Sequence, residues 1–518
     1  MFDESIDVDL SDFEDYDDNA EYLCFNTQAY VDLGDAIHEC EYCGALFWYA
    51  ERVKRHSVKQ RPKFSMCCNL GNVVLPNMQQ PPRILNDLIF RSEHRSKHFL
   101  DNIRSYNSMF AFTSMGGRTD TDINKGRTPP IFRLNGQNYH KIGSLIPNEG
   151  QRPKFLQMYL TDPEEEVESR ISSVRRSGGT ALHDTLVSDL RDMLDAYNVH
   201  AQSFRMARDR FNETNSISLK MKLIGKRNSD GRTYNTPSAR EVAALIEGDF
   251  SLNRKERDVV LQKKSGKFQI ISELNPSFLG LQYPLLFPYG QDGFREDVKL
   301  TRASQATTKG RKYVTMKEFF SYRLQERKGE SPYILRSKRL FQQFIVDGYT
   351  MIESCRLAYI RLHQKDLRSE LYTGLADAVS RGETDGSRLG QLIVLPNSFT
   401  GSARYMIQNY QDAMSICRWT GYPQLFITFT CNPKWPEIVR YVECRGLAPE
   451  DRPDIICRIF KIKLEMLIKD LKENKLFGEV KAVVYTVEFQ KRGLPHAHIV
   501  LWLTRRDTVI LASHIDSI

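Results

Sequence analysis

The spacing of apolar residues changes character several times along the chain. The first 22 residues, MFDESIDVDLSDFEDYDDNAEY, carry no usable periodicity, and their acidity predicts a disordered tail. Order is expected from about Leu33, where a compact cysteine-bearing segment runs to Pro76. Between Ile84 and Asp162 the mixture of aromatics, Gly and Pro, including FRLNGQNYHKIGSLIP, predicts short strands and loops. Residues 163–211 read as helical, because Leu182, Leu186, Leu190 and Met193 recur at spacings of three and four. SAREVAALIEG predicts a second helix opening at Ser238, with Glu241 as capping-box partner. The prolines and glycines of YPLLFPYGQDGF predict a rigid turn, residues 296–312 a mobile basic loop, and Met316–Ser380 a long helical region.

From Gly390 the pattern becomes strand, helix, strand. QLIVLP predicts a short strand and ARYMIQNYQDAMSICRWT an amphipathic helix closed by Gly421. QLFITFTC is a strand by its β-branched and aromatic content, and IICRIFKIKLEMLIKDLKE a helix. VKAVVYTVEFQ, the turn KRGLP and HAHIVLWL form a hairpin. The fold class expected is therefore α+β and multidomain, with a C-terminal sandwich that has an antiparallel centre. The divisions expected are an acidic tail (1–32), a cysteine-rich module (33–80), a mixed α+β DNA-binding-like region (81–312), a helical region (313–389) and the C-terminal sandwich domain (390–518).

Charge sharpens this picture. The net charge of +8 conceals a tail and a body of opposite sign: residues 1–51 hold 15 acids and no Lys or Arg, leaving 73 basic against 50 acidic residues beyond them. A basic body suits a polyanionic partner, since Lys and Arg displace the counterions condensed on phosphates. No apolar run reaches the ~20 residues needed to span a bilayer, so no membrane partner is expected. The acidic start lacks the basic and apolar segments of a secretory signal. Ten cysteines in such a chain suggest free thiols and a metal site more than a disulfide framework.

Two constellations could hold metal. His496 and His498 are two apart on a strand, so both imidazoles face one side. Glu488 and Gln490, also two apart on the preceding strand, would bring either oxygen beside them, giving a two-His, one-oxygen site. Two histidines on a strand can equally be incidental. Cys40 and Cys43 form a C-x-x-C, with Cys67 and Cys68 further on, which fits a tetrahedral zinc site. Adjacent cysteines crowd one ion, so His38 or His56 is an alternative fourth ligand, and buried free thiols are the plainer reading. Arg404 with Tyr405, and Arg492 in the hairpin turn, are candidate DNA contacts, although aromatics at helical spacing usually serve a core.

FITFTCNP followed by EFQKRGLPHAHIVLW resembles the first two motifs of the HUH endonucleases, and more narrowly the replication-initiator domain of Helitron transposons. CEYCGALFWYAE, NPSFLGLQYPLLFPYG, LFQQFIVDGY and VLPNSFTGSARYMIQNYQDAMSICRW resemble Helitron-type N-terminal and helicase-like regions in the same order. The resemblance implies an HUH-type sandwich in which His496, His498 and a third ligand hold Mg²⁺ or Mn²⁺ against a phosphate of single-stranded DNA. It also implies a tyrosine that attacks that phosphate, a structural Zn²⁺ and a nuclear location. Two family features have no counterpart. No tyrosine follows the histidines before Ile518, so the nucleophile is expected beyond that residue and no 5′-phosphotyrosine adduct is expected of the chain. No G-x-x-x-x-G-K-[ST] loop is present for ATP-driven unwinding. The alternative expectation is a non-catalytic DNA-binding remnant or a domesticated transposon-derived protein.

Overall fold

The computed structural model describes residues 31–54, 61–119, 134–175, 182–213, 219–247, 259–262, 269–301, 311–364, 393–489 and 493–504. The acidic tail up to residue 30, Gln490, Arg492, His56 and most of the basic 296–312 segment lie outside them.

The chain opens with the two-residue strands β1 (His38–Glu39) and β2 (Leu46–Phe47), paired antiparallel around the C-x-x-C turn. Helices α1 (Arg83–Phe90), α2 (His94–Asp101) and α3 (Ile103–Phe110) follow, then β3 (Ser114–Thr119) and β4 (Leu134–Ile142). The expected helical stretch is three helices, α4 (Pro163–Arg175), α5 (Asp184–Tyr197) and α6 (Val199–Glu213). Leu186, Leu190 and Met193 are buried along one face of α5, and Leu182 is buried just before it. Next come β5 (Leu219–Leu223), α7 (Ala239–Val242), β6 (Ala243–Glu247), β7 (Val259–Gln262), β8 (Gln269–Ile271) and α8 (Phe278–Gln282). Two small antiparallel sheets result, ordered β3-β4-β8 and β6-β5-β7.

The helix expected over SAREVAALIEG is a single turn. Its capping box does form, with the backbone N–H of Ser238 donating to Glu241 at 2.9 Å, but AALIE is strand β6, paired to β5. Pairing with a neighbouring strand outweighs a local cap signal here. The helical region after Met316 is likewise broken. Helix α9 (Met316–Arg323), capped by Thr315, is separated from α10 (Lys338–Leu362) by a loop over 324–337. QLIVLP forms no strand over its described residues, 393–396.

The C-terminal elements are α11 (Ala403–Thr420), β9 (Leu425–Thr430), α12 (Pro436–Glu443), α13 (Pro453–Lys472), β10 (Val480–Phe489) and β11 (Pro495–Leu503). All three strands pair antiparallel in the order β10-β11-β9, which is the antiparallel centre expected. Gly493, at φ +81°, makes the hairpin turn in a region that disfavours other residues. Ala497, Ile499 and Leu501 of β11 are fully buried against Ile455, Ile459 and Phe460 of α13 and Ile438 of α12. The alternate residues of β11 therefore face away from these helices. Helix α11 ends at Gly421 (φ +85°), as expected, yet none of its residues is buried.

Among the described residues, two apolar clusters hold the fold together. The larger runs from Cys40 to Met351 and joins the cysteine module, helices α1 to α6 and helices α9 and α10. The smaller lies under the β10-β11-β9 sheet and takes in Trp48 from the cysteine module.

Buried histidines make the larger cluster pH-sensitive. His200 is fully buried, and neither of its ring nitrogens has a hydrogen-bond partner among the described residues. Burial lowers its pKa from 6.5 to about 3. A histidine whose folded pKa is depressed contributes stability that is complete above its unfolded pKa and is lost as pH falls toward the folded one. His140, lowered to about 4 by burial, acts in the same direction. Asp347, raised to about 6 by burial, acts in the opposite one. A His200→Leu variant isolates the first term. Between pH 7 and pH 4 it is expected to lose about 3 kcal/mol less unfolding free energy than the parent. Urea titrations at both pH values check this, and equal losses would show that His200 is not held neutral.

Candidate metal centres

The first centre is built on the outer face of the three-stranded sheet. Register places Glu488 of β10 directly opposite His496 of β11, and His496 and His498 opposite Thr430 and Thr428 of β9. The two His Nε2 atoms lie 3.1 Å apart, and Glu488 Oε1 is 3.3 Å from His498 Nε2 and 3.6 Å from His496 Nε2. Bonds of about 2.0–2.2 Å to one ion would set neighbouring ligand atoms roughly 3.0–3.6 Å apart, so the three atoms are spaced as one cation requires. The ring nitrogens on the far side are also occupied. Each Nδ1 sits 3.4 Å from a threonine hydroxyl, Thr430 for His496 and Thr428 for His498. A hydroxyl that accepts from Nδ1–H leaves the Nε2 lone pair facing its neighbours, the orientation that outer-shell partners impose on ligating histidines.

Access is graded across the site. The His496 side chain is 8% exposed, that of His498 32% and that of Glu488 58%. An ion held there would meet solvent on one side, which leaves room for a substrate oxygen. Phe426 stacks on His498 with ring centroids 5.3 Å apart. The other expected oxygen ligand, Gln490, and the candidate Arg492 lie outside the described residues. Arg404 and Tyr405 stand in the first turn of α11, where the Tyr405 N–H donates to the Ser402 hydroxyl. They are roughly 24 Å along that helix from Gly421, whose carbonyl accepts a hydrogen bond from Trp502 Nε1 on the triad face.

The second centre gathers all four expected cysteines. The Cys40, Cys43, Cys67 and Cys68 sulfurs lie within 4.8 Å of one another, with Cys40 to Cys68 and Cys67 to Cys68 both at 3.7 Å. Zinc–sulfur bonds of about 2.3 Å in a tetrahedron would set sulfurs roughly 3.8 Å apart. The adjacent pair can converge because the chain after it turns sharply. Asn69, Leu70 and Gly71 all have positive φ, and the Gly71 N–H donates to Cys68 Sγ at 3.2 Å. A Cβ at Gly71 would come 2.7 Å from the Tyr42 ring, so this glycine lets the two halves of the module meet. His38 is not among the converging groups and packs its ring on Tyr49 instead. Electrostatics also favour a cation. Hydrogen bonds from Cys40, then from Cys67 and Cys68, pull the Cys43 thiol far below its usual range, and the same crowding pushes Cys67 and Cys68 far above theirs. Four thiols this close cannot all ionise without a shared positive charge.

Residues 319–501 match the family model for the Helitron helicase-like domain at the N-terminus. This stretch is similar to that domain, and the similarity supports a transposon-related function and an interaction with nucleic acid. No curated protein matches the chain. The Helitron-like region begins in α9 and ends within β11, so it contains the whole triad, while the four cysteines precede it. No helix among the described residues is long and apolar enough to cross a membrane.

Two sets of residues around these centres were not singled out from the sequence. Thr428 and Thr430 were hidden in a strand read only as β-prone, although their alternation in FITFT is the visible sign. Trp48 and Glu51 dock the cysteine module on the Helitron-like region. Glu51 receives Arg458 of α13 through two contacts at 2.7 Å, while the Trp48 indole, 1% exposed, sits in the smaller core. Nothing in the local pattern announces a contact across some 400 residues.

Proposed function

We propose that Glu488, His496 and His498 hold a divalent cation, Mg²⁺ or Mn²⁺, that grips a phosphate of single-stranded DNA, as the metal half of an HUH-type strand-nicking centre. The observation that carries this reading is the convergence of two Nε2 atoms and one carboxylate oxygen within 3.6 Å on a solvent-facing sheet. When bound, the cation would supply Lewis-acid polarisation of a phosphate oxygen. The protein's part is orientation. Thr428 and Thr430 fix the imidazoles, the β10-β11 hairpin presents the carboxylate, and the helix layer behind the sheet keeps the strands in register. Exposed aromatics on the same domain suit unpaired bases: Phe426, stacked on His498, and Tyr410, Trp419 and Tyr422 are all more than 60% exposed. Aromatic rings of this kind stack on bases without regard to sequence. The four cysteines hold a structural Zn²⁺ in the same reading, and a protein of this lineage would work in the nucleus.

A second reading, DNA binding without strand chemistry, needs only those aromatics and the basic body. Fluorescence anisotropy with a labelled single-stranded oligonucleotide, with and without Mn²⁺, separates the two. Mn²⁺ is expected to tighten binding several-fold in the parent protein. A His496→Ala/His498→Ala variant should keep the metal-free affinity and lose that increment. An identical Mn²⁺ response in both would leave only the second reading. In either case affinity should fall steeply with salt.

A further inference from the structure

Among the described residues, the surroundings of the four cysteines hold more buried positive charge than the one nearby carboxylate, Glu330, can balance. The loop between α9 and α10 runs antiparallel to the segment just after Cys43. Ala45 bridges Arg327, the Leu46 N–H donates to the Glu326 carbonyl at 2.9 Å, and the Lys328 N–H to the Gly44 carbonyl at 3.4 Å. This backbone pairing brings Arg327 beside the C-x-x-C turn. Its side chain is only 2% exposed, and its guanidinium lies 3.6 Å from the centroid of the Tyr322 ring. One nitrogen, Nη1, reaches the Gln325 carbonyl and Glu330 at 3.2 and 3.4 Å, while Nε and Nη2 have no hydrogen-bond partner among the described residues.

Glu330 cannot neutralise this group. It is shared with the equally buried Arg323, at 3.3 Å, and also accepts the Met78 N–H. Two buried guanidiniums thus face one carboxylate. The other charges at the rim are already matched, Lys63 with Glu41 and Lys328 with Glu39. A buried cation lacking an anion is strongly disfavoured, so the fold calls for negative charge at this place. Zinc bound by four thiolates supplies it, because four charges of −1 around a divalent ion leave a centre of −2.

We propose that Arg327 is the counter-charge of a zinc–tetrathiolate centre, so that the Helitron-like region completes a metal site whose four ligands all come from the module before it. The inference rests on the zinc reading given above. It makes Arg327 a positioning residue and ties the cysteine module electrostatically to the loop that leads into α10. Zinc binding and docking of the module then reinforce each other.

The test is zinc affinity of the full chain, measured by competition with a colorimetric chelator, for the parent, Arg327→Met and Arg327→Lys. Methionine keeps length and packing but removes charge, whereas lysine keeps the charge. Removing an outer-shell partner typically weakens a site roughly 10- to 100-fold, so Arg327→Met should lose at least about tenfold while Arg327→Lys stays nearer the parent. Failure of Arg327→Met to fold, with Arg327→Lys folding and retaining zinc, would support the same requirement for charge. Parental affinity in Arg327→Met would overturn the inference, and so would a lysine variant as impaired as the methionine one. Parent protein purified without zinc would instead overturn the zinc reading itself.

Discussion

A Cys43→Ser/Cys67→Ser chain is expected to emerge without zinc and with its cysteine module unfolded. Apart from its docking on the two apolar clusters, the module has few contacts of its own. Its sheet is two residues wide on each strand, and its apolar content centres on Phe47 stacked on Phe64 at 4.5 Å. Structural zinc in small modules contributes about 10–16 kcal/mol of apparent binding free energy, and that energy is folding energy. The damage should extend beyond the module. Trp48 would leave the smaller core, and the half-buried Arg458, paired with Glu51, would lose its carboxylate. Metal analysis should fall from about one zinc per chain, as a single four-ligand site requires, to a small fraction of that. Limited proteolysis should then cut between residues 40 and 75. A variant as resistant to protease as its parent would show that the four thiols are ordinary core residues.

How far the sequence disclosed this architecture depended on the range of the interactions involved. Elements whose signal is local were legible. Examples are the 403–420 helix with its glycine stop, the 453–472 helix, and the strands around His496 and His498, whose shared face follows from the two-residue repeat of a strand. The convergence of Glu488 with the histidines was legible for the same reason, since a short hairpin turn fixes register. Expectations failed where a distant partner outweighed a local preference. AALIE follows a helix-start signal at Ser238, but β5 offers it a strand to pair with, and the helical region after Met316 is cut by a loop that reaches back to the C-x-x-C turn. The adjacent cysteines looked too crowded to share an ion because the positive φ of Leu70, a residue that rarely adopts it, cannot be read from its side chain. The docking of Trp48 and Glu51, and the buried excess charge of Arg327, arise only when segments hundreds of residues apart meet.

The second large effect concerns the triad. By calorimetry the parent chain should bind Mn²⁺ at the sheet face, and a His496→Ala/His498→Ala variant should lose that binding by at least a hundredfold, because it removes two of three donor atoms. The fold should survive, since the substitutions lie on the face turned away from Ala497, Ile499 and Leu501, the residues that pack on α13. A Glu488→Ala variant should lose less. Its carboxylate is the most exposed of the three, so water can take its place in the shell at smaller cost. Thr428→Val and Thr430→Val should produce a third and milder pattern, retaining all three donors while releasing the rings to turn, with losses of roughly tenfold or more. This order, double histidine worst, then carboxylate or threonine, is what a cation at the Nε2–Nε2–Oε1 focus requires. Mn²⁺ binding that is equal in the parent and the double variant would place the ion elsewhere and remove the sheet face as a metal centre.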